Sequence, residues 1–207
     1  VTAVYTANTA GTISGLGNEA VTLSDTNLAA ADLNTLNGLT TGVVNAGTVT
    51  TLTGLAADAN TAYAANGSTI SGLGNEAVTL TDTTLAASVL NTLNGNTSGV
   101  VNAGTVTTLT GAYSVLKTAY DADTAGTISG LGEEAVTLSD TTLVAANLNT
   151  LNGLTTGVVN AGTVTTLTGL AADANTAYTA NSAGTISGLA NEAITLTDTT
   201  LAAADLN

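Results

Sequence analysis

The amino-acid sequence predicts a repeat β-solenoid, a stack of coils that each combine short parallel strands with a short helical segment. Two recurrences and one compositional fact support that prediction. The phrase Ile-Ser-Gly-Leu opens at Ile13, Ile70, Ile128 and Ile186, a long period of 57 or 58 residues. Inside it, Thr-Leu followed by Ser or Thr recurs at Leu23, Leu52, Leu80, Leu109, Leu138, Leu167 and Leu196, every 28 or 29 residues. The alphabet is also very small, with no Cys, Met, Trp, Phe, Pro or His among 207 residues. We therefore expect one tandem array over residues 1–207, with about seven coils of about 29 residues in alternating pairs. Because the array begins and ends inside a repeat, it is expected to be a segment of a longer chain, with any secretion signal or anchor outside it.

Each coil divides into three pieces. The first, Thr-Leu-Ser/Thr, is β-branched and alternating, which predicts a short strand with Leu pointing in and Thr pointing out. Stacked in parallel, Leu23, Leu52, Leu80, Leu109, Leu138 and Leu167 would form one inward ladder. The second piece is rich in Ala and Leu. Apolar residues at Leu28, Leu33 and Leu36, and in the partner coil at Leu55, Ala59 and Tyr63, predict short helices over 28–36 and 55–63. Asp25, Thr26 or Thr53 stand where an N-cap is wanted, and Gly38 or Asn66-Gly67 where the helix should stop. The third piece, Gly42–Asn45 or Thr69–Leu73, is a second short strand between Gly- and Asn-rich corners.

Strands stack at about 4.8 Å, whereas helix axes need about 8–10 Å. Ala-rich helices favour a straight stack. The alternative is a curved α/β horseshoe resembling leucine-rich repeats, whose L-x-x-L-x-L-x-x-N-x-L run is missing here.

Composition limits function. Apolar residues make up 44% of the chain and aromatics 2%, so the core must be thin layers of Leu, Val, Ile and Ala. That much aliphatic content argues against disorder. Fifteen acidic residues face Lys117 alone, a net charge of −14, which excludes nucleic acid and anionic membrane surfaces as partners. No apolar run approaches membrane-spanning length.

Without His or Cys, and with a single unrepeated lysine, the chain offers no catalytic, cofactor-binding or metal-site constellation. Glu133-Glu134 and Asp121-x-Asp123 are isolated departures from the repeat and read as solvated surface. The acids that do repeat are Asp25, Asp82, Asp140 and Asp198 at the strand-to-helix junction, and Glu19, Glu76, Glu134 and Glu192 just before the strand. Both sets occur in alternate coils, and the partner coils carry Gly54, Gly111 and Gly169 where the aspartates stand.

Helix capping is the first reading of the aspartates. A bridging Ca²⁺ is the second, disfavoured because a hard cation needs six to eight oxygens. The Thr-Leu-Thr ladder would form a two-column hydroxyl lattice, similar to ice-binding faces, although Thr also simply favours strands. One anomaly remains. Val89 replaces Asp32 and Val115 replaces Asp58 in adjacent coils, with Tyr113 and Lys117 nearby. Core repacking is the favoured cause and a lateral contact patch the alternative.

The phrases VTLSDTTL, LAAADLNTLNG, GTVTTLTGLAADANTAY and TISGLGNEA resemble the repeat tracts of giant cyanobacterial cell-surface proteins, of the type marine Synechococcus needs for swimming. The resemblance covers essentially the whole chain. It implies an extracellular or cell-surface structural role in adhesion or motility. Such giants often also carry G-G-x-G-x-D calcium repeats, a pattern that does not occur here. The expected function is a non-catalytic, stiff, extendable spacer or filament-forming segment, with a ligand-binding surface for Ca²⁺ or ice as the alternative. The expected partners are neighbouring repeats of the same chain and, through head-to-tail self-association, further copies.

Overall fold

The computed structural model describes residues 1–203 and shows a repeating α/β, solenoid-like arrangement of parallel strands and helices. Two compact units interleave along the chain. Unit 1 comprises Val1–Asp82, Thr92–Thr105 and Gly126–Ser129; unit 2 comprises Thr83–Asn91, Val106–Ala125 and the residues from Gly130 on.

Unit 1 holds helices α1 (Thr2–Thr9), α2 (Ala30–Leu39) and α3 (Ala56–Ala65) and two parallel sheets. The first sheet is β1 (Val21–Thr22), β3 (Val44–Asn45) and β5 (Ile70–Ser71). The second is β2 (Asn27–Ala29), β4 (Thr51–Gly54), β6 (Ala77–Leu80), β8 (Val101–Asn102) and β10 (Ile128–Ser129), hydrogen-bonded in that order.

Unit 2 repeats this plan with α5 (Tyr113–Thr124), α6 (Ala145–Asn152) and α7 (Ala171–Ala183). Its third sheet is β7 (Thr84–Ala86), β9 (Thr108–Gly111), β11 (Ala135–Leu138), β13 (Val159–Asn160) and β15 (Ile186–Ser187). The fourth is β12 (Thr142–Val144), β14 (Thr166–Gly169) and β16 (Ala193–Leu196). The division between units falls inside α4 (Ala87–Asn96).

The strand register corrects the 29-residue coil. In the second sheet the inward ladder runs Leu28, Leu52, Val78, Val101, Ile128, in steps of 24, 26, 23 and 27 residues. In the third it runs Leu85, Leu109, Val136, Val159, Ile186, in steps of 24, 27, 23 and 27. Two circuits thus take 50 or 51 residues, and a repeat of 57 or 58 has about seven left over. Those residues form an additional strand per repeat, β2, β7 or β12, which begins a new sheet.

The expected single leucine ladder is therefore two sets in different registers. Leu52, Leu109 and Leu167 sit in the ladders, whereas Leu80 and Leu138 pair with Gly54 and Gly111, and Leu23 lies just past β1. All six leucines are buried. Unequal strands explain the mismatch: the phrase Thr-Leu-Thr opens β4 and β9 but overlaps the end of β6 and β11, so equal spacing in sequence is not equal spacing in register.

The helices also start later than expected. Leu28 and Leu85 belong to strands, and Leu55 lies 47% exposed just ahead of α3, whose buried stripe is Ala56, Ala59, Ala62 and Tyr63. α2 runs through Gly38 to Leu39, while α3 ends at Ala65 beside Asn66, as its stop signal implied. Alanine on the buried face allows α2 and α3 to approach closely, and the Asn34 side-chain amide donates to the Asp58 carbonyl at 2.9 Å across the gap. Asn91 to Val115 and Asn149 to Asp173 repeat that link in unit 2, each at 2.9 Å.

Candidate functional site: the clamp between coils

A tyrosine, a glutamate and a Thr-x-Gly turn, each recurring with the repeat, converge on one cluster. In unit 1, Glu76 is fully buried, and its carboxylate accepts hydrogen bonds from the Tyr63 hydroxyl at 2.9 Å and the Gly74 N–H at 2.9 Å. Its backbone carbonyl accepts the Thr97 hydroxyl at 2.6 Å, and that hydroxyl in turn accepts the Gly99 N–H at 3.0 Å. Gly99 packs so closely that a Cβ there would collide with the Glu76 carbonyl oxygen. Only glycine fits, because the neighbour is backbone and cannot rotate away. One glutamate thus binds a tyrosine from the preceding helix and a Thr-x-Gly turn from the following coil.

The same set recurs as Tyr5, Glu19, Thr40 and Gly42 in unit 1, and as Tyr120, Glu134, Thr155 and Gly157 in unit 2. Tyr178 and Glu192 form a fourth pair at 2.8 Å, part-exposed. Burial pushes the Tyr63 and Tyr120 hydroxyls well above the usual phenol range. It pushes Tyr178 up to about 12, with the hydrogen bond to Glu192 acting in the same direction. The Gly17 N–H, first among its donors, holds the Glu19 carboxyl below its ordinary value. For Glu192 burial works the other way, but the Ala190 N–H and the Tyr178 hydroxyl outweigh it and the carboxyl is lowered. Glu19 and Glu192 are thus held ionised and Tyr63, Tyr120 and Tyr178 neutral, a pairing suited to locking backbone in place.

Sequence reasoning identified the glutamates but missed their partners. The signal was present: Tyr5, Tyr63, Tyr120 and Tyr178 recur at 58, 57 and 58 residues, in step with the glutamates 13 or 14 residues further on. From its spacing alone, Tyr63 reads only as an apolar helix position.

The aspartates do cap helices, but not the helices that follow them. α2, α3, α5, α6 and α7 have Ala29, Leu55, Ala112, Val144 and Leu170 at the N-cap, none with a capping side chain of its own. Instead Asp82 accepts the Ala56 N–H at 2.8 Å, Asp140 the Tyr113 N–H at 2.7 Å, and Asp198 the Ala171 N–H at 2.9 Å, each from 26 or 27 residues downstream. An open helix N-terminus carries orphan N–H groups and a positive partial charge, which suits a carboxylate from the next coil. Asp25 is exposed and makes no such bond among the described residues. Thr26 and Thr53 are not caps either.

The remaining acids are dispersed. Glu133 is exposed while its neighbour Glu134 is buried in the clamp, so the two do not face each other. Asp121 pairs with Lys117 at 2.5 Å, and Asp123 accepts the Leu131 N–H at 3.2 Å. Among the described residues no group of three or more acidic side chains could hold a metal ion, and no helix is long and apolar enough to cross a membrane.

The two-column hydroxyl lattice does not form. In the second sheet the outward columns read Asn27, Thr51, Ala77 and Ala29, Thr53, Thr79, Asn102, Ser129. The first stops after three rungs because β8 and β10 are two residues long. At the anomalous coils, Leu116 is fully buried where Ala59 stands one repeat earlier, consistent with core repacking, while Val89 and Val115 are half-buried.

No protein-family model, curated protein or solved structure matches the chain at a significant level.

Proposed function

We propose that this chain is a non-catalytic structural repeat of an extracellular or cell-surface protein, a stiff, extendable spacer or filament-forming segment used in adhesion or motility. The clamp supports this reading best: Tyr, Glu and the Thr-x-Gly turn join one coil to the next, and Asp82, Asp140 and Asp198 add caps across coils. Side chains used in this way are withdrawn from chemistry and from ligands. They also make each coil depend on its neighbours, which is how a repeat array gains length without losing cooperativity. Copies associate head to tail in this reading.

The reading is tested by duplicating residues 70–127 within the chain and measuring the maximum dimension by small-angle X-ray scattering. Two further circuits should lengthen the particle by about 10 Å, twice the strand spacing. A particle that grows equally in all directions, or a duplicated segment that fails to fold, would count against it.

A further inference from the structure

Near the end of one helix in each long repeat, a side chain holds the leucine of Ile-Ser-Gly-Leu. Asn8, Asn66 and Asn181 clasp Leu16, Leu73 and Leu189 with both arms of the amide. The side-chain oxygen accepts the leucine N–H at 3.1 or 3.2 Å, and the side-chain nitrogen donates to the leucine carbonyl at 3.0 or 3.1 Å. In the remaining repeat Asp123 accepts the Leu131 N–H at 3.2 Å, and a carboxylate, an acceptor only, has no second arm to offer. Of the three asparagines only Asn66 precedes a glycine, Thr9 and Ser182 following the other two.

We propose that Asn66 is a modification site, where spontaneous deamidation converts the two-armed clasp to the one-armed form. The Gly67 nitrogen attacks the side-chain carbonyl carbon of Asn66, the side-chain nitrogen leaves as ammonia with the Gly67 proton, and a five-membered succinimide remains. Water then opens either ring carbonyl to give aspartate or isoaspartate, so the reaction needs no enzyme or cofactor. Glycine favours the attack, because it has no Cβ to crowd the ring and its backbone turns freely. The surroundings favour it as well. Asn66 is exposed and extended just past the end of α3, at φ −66° and ψ 135°, and the Gly67 N–H is held within its own short loop by the Ile70 carbonyl at 2.8 Å.

Three further Asn-Gly pairs provide the contrast. Asn37, Asn94 and Asn152 bury their side-chain oxygens. Gly38 and Gly95 lie inside α2 and α4, and the Gly153 N–H is tied to the Asn149 and Thr150 carbonyls. Opening an exposed loop costs less than unwinding a packed helix end, so Asn66 reacts first. Asp123 shows that the fold accommodates the product. An aspartate at 66 keeps the bond from the Leu73 N–H, gives up the bond to the Leu73 carbonyl and adds one negative charge. The proposal stands on the clasp geometry and not on the spacer reading.

The test incubates the full chain in mildly alkaline buffer, folded and in concentrated urea, and follows the one-dalton gain at each Asn-Gly pair by mass spectrometry. In the folded chain Asn66 should convert at least tenfold faster than Asn37, Asn94 or Asn152, whereas in urea the four rates should converge. A folded-state rate at Asn66 no higher than at the other three would overturn the proposal. So would an equal preference for Asn66 in urea, since local sequence and not the fold would then select the site. For the clasp itself, Asn66→Asp should lower the urea midpoint and Asp123→Asn should raise it. Absence of either shift would overturn the change from two arms to one.

Discussion

Glu76 and Glu192 hold equivalent places in different repeats, and both accept a tyrosine hydroxyl and the N–H two residues back. Glu76 is fully buried beneath the Thr97–Gly99 turn, whereas Glu192 remains part-exposed. The local sequence is nearly the same, so the difference comes from the coil that follows. A clamp gains its burial from the next coil's Thr-x-Gly turn, and with it the desolvation that makes each hydrogen bond costly to lose.

Three measurements would break or sharpen that comparison. The largest effect belongs to the apolar ladders. Leu109→Ala, at a fully buried rung, should cost about 2–5 kcal/mol in urea unfolding, and Ile194→Ala, 41% exposed, under about 1 kcal/mol. Similar costs at both rungs would show that burial by the next coil is not what stabilises the ladder.

Next come the clamps themselves. Glu76→Ala leaves the Tyr63 hydroxyl and the Gly74 N–H without their acceptor in the interior and should cost about 1–3 kcal/mol, with Glu192→Ala costing clearly less. The lowered carboxyls of Glu19 and Glu192 set the sign of the pH response. A folded-state value below the unfolded one contributes stability that is present above about pH 4.5 and is lost as pH falls through the lower folded value. The Glu192→Gln variant should flatten part of that acid decline; an unchanged acid limb would argue against an ionised clamp.

The smallest effect separates the aspartates. Asp82→Ala removes the α3 cap and should cost about 0.5–2 kcal/mol, while Asp25→Ala should change stability by less than about 0.5 kcal/mol. Equal losses would mean that Asp25 also serves a helix.

Much of this molecule was legible in the residues. The recurrence of Ile-Ser-Gly-Leu and Thr-Leu-Thr set the repeat, β-branched and Ala-rich stretches marked strands and helices, and all six ladder leucines proved buried. These properties depend on which face a side chain takes, a matter of neighbours a few residues away. The tertiary structure alone decided what meets what across coils. It paired Leu52 with Leu28 and Val78 rather than with Leu23 and Leu80, sent Asp82 back to α3 rather than on to α4, and joined Tyr63 to Glu76. The physical reason is that strands of two, three and four residues share one stack, so the step between coils is set by backbone pairing and not by the count between matching phrases.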